Sequence, residues 1–227
     1  MIGVTDNLSI VKDLLAEAAT DAKRGPASVR LLAVSKKQPL AKVFEAAAAG
    51  QRDFGENQVQ EALPKIRAAE AENLIWHFIG HLQTNKTRQV AEHFDWVHSI
   101  DRLRIAERLN EHRPAGMPPL NVCLQVNLDD ESSKSGLSPV DVQPLAALVH
   151  ELPNLHLRGL MCLPAIRDGF EEQRKPFRIL AELKEFISTT GIELDTLSMG
   201  MSDDFRAAIF EGATIVRIGT RLFGQRS

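Results

Sequence analysis

The stretch Leu31-Leu-Ala-Val-Ser-Lys36-Lys37-Gln-Pro39 decides how this chain is read. It opens with an apolar run of the length of a buried strand and ends on two lysines. Pro39 then turns the chain, because the residue before a proline is pushed out of the helical region. Leu40, Val43, Phe44 and Ala47 follow at i, i+3, i+4, i+7, the spacing of one helical face. The unit is strand, lysine, turn, helix. A lysine at the exit of a buried strand stands where α/β barrels place their chemistry. The competing reading is a solvated loop lysine, since most lysines are surface residues.

The same unit repeats outward from this stretch. An N-terminal helix carries Leu8, Val11, Leu15 and Ala18 on one face. Strands are then expected at 30–36, 52–55, 74–80, 96–100, 121–127, 156–163, 194–198 and 214–218. Helices are expected between them: at 57–69, from an N-cap at Thr84 or Asn85, and after a cap at Asp101 with Leu103, Ala106 and Leu109 inward. Further helices carry Val142, Leu145, Ala146 and Val149, lie within 170–188, and open at Asp203 or Asp204. Alternating units imply a parallel sheet covered by helices. Eight of them in 227 residues favour a closed (β/α)8 TIM barrel over an open sheet, and no G-x-G-x-x-G follows the first strand. Nothing marks a linker, so residues 1–227 read as one domain.

Composition excludes several classes of function. The formal net charge is −3 with no basic block, which gives no reason to propose nucleic acid or an anionic membrane as partner. The N-terminal segment lacks a basic start and a solid apolar core, so it reads as neither signal peptide nor membrane span. Cys123 and Cys162 lie in apolar runs without C-x-x-C spacing and read as buried, reduced thiols of a cytoplasmic protein. No long apolar stripe is left over once the barrel helices are assigned, which favours a monomer. The chain contains no tyrosine.

In such a barrel the loops after the strands form the active face, with phosphate often held after strands seven and eight. Here those loops are Ser198-Met-Gly-Met-Ser202-Asp-Asp and Arg217-Ile-Gly219-Thr220. Glycine lets backbone N–H groups approach an anion, and a helix N-terminus favours negative charge. The alternative is that the glycines make tight turns and Ser202 caps a helix. Arg217 ends strand eight at the same rim and can only donate hydrogen bonds; its alternative role is an ion pair with a rim carboxylate such as Glu56. A lysine across the mouth, a phosphate cup and an arginine donor together suggest pyridoxal phosphate. His77 and His81 are four apart across a strand end, which is poor metal-pair geometry, and read as rim or packing histidines. Glu131 and Lys134 fall in a polar loop and read as solvated. Trp76, Phe78 and Trp96 read as core.

Six ordered motifs carry a resemblance that covers almost the whole chain: Leu32-Ala-Val-Ser-Lys36; Phe54-Gly-Glu-Asn57; His77-Phe-Ile-Gly80 with Leu82-Gln83 and Asn85-Lys86; Arg158-Gly-Leu-Met161; Leu197-Ser-Met-Gly-Met-Ser-Asp203; and Val216-Arg-Ile-Gly-Thr220. Together they make the sequence similar to the pyridoxal-phosphate homeostasis proteins, the YggS/PROSC family. The resemblance implies a stand-alone barrel like the alanine racemase N-terminal domain, preceded by an extra helix. It implies that Lys36, not Lys37, bonds pyridoxal 5'-phosphate as a Schiff base, that Arg217 faces the pyridine nitrogen, and that Ser202, Gly219 and Thr220 hold the phosphate. Asn57, Met161 and Ser198 would line the ring and phosphate sides. His81 and Thr84 depart from the motif at positions away from these groups.

The implied role is to keep free pyridoxal phosphate low, deliver it to apo-enzymes and so balance amino-acid and keto-acid pools, without a dedicated acid–base pair. Racemases on this barrel use a tyrosine from a second domain as one of two bases, and this chain has neither. Two rivals stay open. One is a racemase borrowing His77 or Lys134 as base. The other is a cofactor-free aldolase in which Lys36 attacks a sugar phosphate.

Overall fold

The computed structural model describes residues 3–129 and 135–224. Its centre is a closed barrel of eight parallel strands, paired in sequence order from first to last and back to the first. The strands are β1 (Arg30–Val34), β2 (Asp53–Glu56), β3 (Ile75–Phe78), β4 (Trp96–Ile100), β5 (Leu120–Val126), β6 (Leu155–Cys162), β7 (Thr196–Ser198) and β8 (Ile215–Ile218). Closure is direct: Leu31 registers with Val216 and Leu32 with Arg217. The helices are α1 (Val4–Asp21), α2 (Leu40–Ala48), α3 (Val59–Ala68), α4 (Thr87–His93), α5 (Leu103–His112), α6 (Pro139–His150), α7 (Phe170–Ser188), α8 (Phe205–Phe210) and α9 (Thr220–Phe223). The eight-unit barrel read from the sequence is the architecture found.

Two buried layers hold it together. Outward-facing strand residues such as Leu31, Ala33, Phe54 and Phe78 join the inner faces of the helices in one large apolar cluster. Leu8, Val11, Leu15 and Ala18 of α1 belong to it, as do Val142, Leu145, Ala146 and Val149 of α6. Leu32, Trp96, Cys123, Met161 and Ile215 form a second, smaller cluster. Side chains alternate along a strand, so Leu32, between Leu31 and Ala33, points into the barrel, and the smaller cluster is the barrel interior. Trp76, Phe78 and Trp96 are all core residues. Cys123 and Cys162 are free and buried, and burial pushes both thiols up to about 12. Among the described residues no helix is long and apolar enough to cross a membrane.

Element ends differ from expectation in physically simple ways. The first strand stops at Val34, because Ser35 and Lys36 already belong to the turn before α2. Thr84 and Asn85 do not cap α4; they form a 3-10 turn over Thr84–Lys86, and the helix starts at Thr87, whose hydroxyl donates to the Thr84 carbonyl at 2.8 Å. Asp101 does not cap α5 either. The N-cap is Arg102, and the Asp101 carboxylate is spent on the Arg102 guanidinium at 2.5 Å. Asp204 is the N-cap of α8, and its carboxylate accepts the Met201 N–H at 2.6 Å.

Candidate functional site

A cavity of about 250 Å³ opens at the C-terminal mouth of the barrel. Its walls come from strand ends and the turns after them: Val34, Lys36 and Gln38 from the end of β1 onward, Ile79 after β3, Leu163 after β6, Met201, Ser202 and Asp203 after β7, and Arg217, Gly219 and Thr220 from β8 onward. Gly224 closes it from the end of α9. Lys36 is half-buried there, whereas Lys37 is exposed.

The backbone on both sides of Lys36 is tied down from outside the barrel. The Ser35 hydroxyl donates to Glu56 Oε1 at 2.6 Å, and the Ser35 carbonyl accepts from Lys65 Nζ at 2.8 Å. Lys65 also donates to Glu56 and Glu61, both at 2.8 Å. Glu61 in turn accepts the N–H of Lys37, which sits in the left-handed region at φ 58°. Burial pushes the Glu56 carboxyl up, against the pull of Lys65 and Ser35. A buried pair of this kind is costly to assemble and more costly to break. Its yield is a fixed turn that presents Lys36, not Lys37, to the cavity.

Arg217 forms the floor, 96% of its surface removed from solvent given a relative exposure of 4%. Nη1 donates to both the carbonyl and the hydroxyl of Ser198, the latter at 2.8 Å, and Nη2 donates to the Cys162 carbonyl at 2.7 Å. Burial lowers its affinity for the proton, but a guanidinium stays charged. It makes no ion pair with Glu56, whose partner is Lys65. The described hydrogen bonds use three of its five N–H donors.

Beside it the loop after β7 turns on Gly200, at φ 93°. A Cβ there would stand 2.6 Å from that of Ala208, so both conformation and packing require glycine. The Gly200 carbonyl accepts the Arg217 N–H at 3.0 Å, which locks this loop to β8. Gly219 is the N-cap of α9, whose leading N–H groups have no partner within the helix.

The structure thus brings Lys36, Ser202, Arg217, Gly219 and Thr220 to one cavity. It places three other expected residues elsewhere. Met161 is in the barrel-interior cluster, and Ser198 is fully buried behind Arg217. Asn57 lines a neighbouring depression with Gln83 and Lys86. His77, a candidate base, is buried inside the barrel against Trp96 and His98 and is absent from the cavity wall. His81 lies 3.6 Å from Asp101 on the rim. Glu131 and Lys134 lie outside the described residues. Sequence reading missed Gln38, Asp203, Ile79 and Leu163 as cavity walls; each lies one to five residues past a strand end, which is the only signal it carries. Among the described residues no three of His, Cys, Asp and Glu gather in a way that could hold a metal ion.

Residues 12–227 match the family described as alanine racemase, N-terminal domain. A pyridoxal phosphate homeostasis protein of Pseudomonas aeruginosa is 57% identical over 100% of this chain and 97% of its own length. That of Escherichia coli K12 is 52% identical over 100% of this chain and 98% of its own. The solved structure of PipY from Synechococcus elongatus with PLP bound superposes with a TM-score of 0.79 at 40% identity, covering 92% of this chain and 100% of PipY. With full-length identity of this order to proteins of one name, the chain belongs to the pyridoxal phosphate homeostasis proteins, built on the alanine racemase N-terminal barrel.

Proposed function

We propose that this chain binds pyridoxal 5'-phosphate in the mouth cavity and serves its homeostasis as a carrier, with Lys36 as the point of covalent attachment. The observation that carries this reading is the convergence of one lysine, one buried arginine and two hydroxyl- and glycine-bearing loops on a single cavity. The donor set suits the ligand. Lys36 supplies an amine, Ser202, Thr220 and the start of α9 supply neutral donors for a phosphate, and Arg217 supplies a cationic floor for the ring nitrogen. The volume, about 250 Å³, is just under the range of drug-sized ligand pockets and suits a small molecule. When bound, pyridoxal phosphate supplies an aldehyde for the lysine and, in enzymes, an electron sink.

The residues around it favour holding over catalysis. A racemase needs a base on each side of the reacting carbon. The titratable groups that line this cavity besides Arg217 are Lys36 and the exposed Asp203, and the chain has no tyrosine. An arginine beneath the ring nitrogen keeps that nitrogen unprotonated, which weakens the electron sink. Delivery to apo-enzymes in the cytoplasm follows from the same reading, because a site that binds without turning over is useful only if it releases.

The test is the visible spectrum of the purified protein, followed by borohydride reduction and peptide mapping. A yellow band fixed by reduction onto Lys36 is expected. A colourless protein that takes up no added pyridoxal phosphate overturns the reading and returns the sugar-phosphate aldolase.

A further inference from the structure

The interior of a TIM barrel is ordinarily filled by branched apolar side chains. Here a file of polar groups crosses it. Asp53 Oδ1, at the N-terminal end of β2, is 3.0 Å from His77 Nε2 on β3. His77 Nδ1 is 2.9 Å from His98 Nε2 on β4. His98 Nδ1 is 2.7 Å from the Ser198 hydroxyl on β7, across the barrel. That hydroxyl is 2.8 Å from Arg217 Nη1 on β8, the cavity floor. His77, His98 and Ser198 are fully buried, while the Asp53 side chain is 14% exposed and pairs with Arg30 at 3.4 Å.

Donor counting fixes the direction of every bond. Arg217 can only donate and the Asp53 carboxylate can only accept. With both imidazoles neutral, His77 Nε2 therefore donates to Asp53, and the Ser198 oxygen, accepting from Arg217, sends its hydroxyl proton to His98 Nδ1. His98 then carries its proton on Nε2 and donates to His77 Nδ1. His77 likewise carries its proton on Nε2 and donates to the Asp53 carboxylate. Each imidazole is neutral with one donor and one acceptor, and no polar group in the file is left unmatched. Burial, which lowers the proton affinity of both histidines, agrees with that state.

We propose that Asp53, His77, His98 and Ser198 form a one-directional hydrogen-bond relay that positions Arg217 and couples the N-terminal rim of the barrel to the mouth cavity. All four are positioning residues. Their action on a ligand passes through Arg217, so the coupling half of the proposal rests on the binding mode given above. Losing the negative end at Asp53 removes the acceptor that polarises the file. Adding a proton to His77 reverses it, because His77 Nδ1 must then donate to His98 Nε2 and His98 Nδ1 to Ser198. Either change alters what Arg217 presents to the cavity without touching the cavity wall.

The test begins on the ligand-free full chain, with nitrogen-15 histidine NMR at neutral pH. Two neutral Nε2–H tautomers are expected for His77 and His98; a Nδ1–H tautomer or an imidazolium at either position overturns the relay. Pyridoxal phosphate is then added. The His98 resonance is expected to shift, and D53N is expected to move the visible band of the bound cofactor and weaken uptake severalfold. D195N, which removes a carboxylate at the same rim outside the file, should leave the band in place. S198A provides a second, milder break beside the mouth and should give the same displacement as D53N. Loading that leaves both histidines and both variants unmoved overturns the coupling. Absence of any uptake by the unmodified chain instead sinks the binding mode, while the tautomer result still decides the relay.

Discussion

Lys65 Nζ lies 2.8 Å from the carbonyl oxygen of Ser35, the residue immediately before Lys36. The same ammonium bonds Glu56, whose side chain is fully buried while that of Lys65 is 7% exposed. The pair lies outside the barrel, between β2 and α3, and yet fixes the turn that aims a lysine into the mouth. K65M leaves Glu56 buried with only the Ser35 hydroxyl as partner. Removing one partner of a buried pair costs about 3–5 kcal/mol. Urea unfolding should show a loss of that order, and the double variant K65M/E56L should recover part of it. An unchanged midpoint for K65M would mean that the pair does not hold the turn.

Gly200 gives a second handle on the mouth, from the β7 side. At φ 93° an alanine is strained, at about 1–3 kcal/mol, and its methyl would collide with Ala208. G200A should therefore lower the unfolding midpoint and loosen the bond between the Gly200 carbonyl and the Arg217 N–H. Cofactor uptake should fall more than stability alone explains, as measured by absorbance titration under conditions where both proteins are fully folded. Equal uptake by G200A and the parent chain would show that this loop does not shape the site.

The barrel was legible because each strand is an apolar run and each helix a 3.6-residue stripe, signals carried by local sequence. Two of the eight strand starts, Arg30 and Trp96, match to the residue, and Trp96–Ile100 matches at both ends. The misses are of one kind. Asp101 and Thr84 are good caps by residue type, but the Asp101 carboxylate bonds the neighbouring Arg102 guanidinium and Thr84 falls in a 3-10 turn ahead of the helix, and type alone does not reveal that. At the mouth, Lys36 and Lys37 are indistinguishable by pattern. Their difference is made by Lys65 and Glu61, at least 24 residues away in sequence. The His98–Ser198 contact spans 100 residues, and nothing in either segment announces it.

Arg217 is the position where a conservative exchange is most informative. R217K keeps the charge but loses the planar fork that reaches the Ser198 oxygens and the Cys162 carbonyl together. One buried acceptor is then left unmatched, at about 1–3 kcal/mol. We expect a lowered thermal midpoint and at least a tenfold weaker uptake of pyridoxal phosphate, measured by fluorescence titration. Parent-like affinity in R217K would remove the arginine from the ligand's recognition.

The two interior histidines also make stability depend on pH in a defined sense. Burial lowers the proton affinity of His77 and His98 in the folded chain below the ordinary 6.5, and that of His98 well below. Between the folded values and 6.5 the unfolded chain binds more protons, so stability is fully present above about pH 6.5 and is lost as the pH falls. Each histidine contributes a slope of about 1.4 kcal/mol per pH unit in that window. Glu56 and Asp204, whose carboxyls burial pushes up, act in the opposite sense at lower pH, so the comparison must be with a variant that keeps them. H98Q retains an acceptor and a donor but cannot take the proton. Urea unfolding between pH 5 and 8 should show the parent chain losing stability faster than H98Q below pH 6.5. Parallel curves would place His98 in a site where protonation is free, which its bonds to His77 and Ser198 forbid.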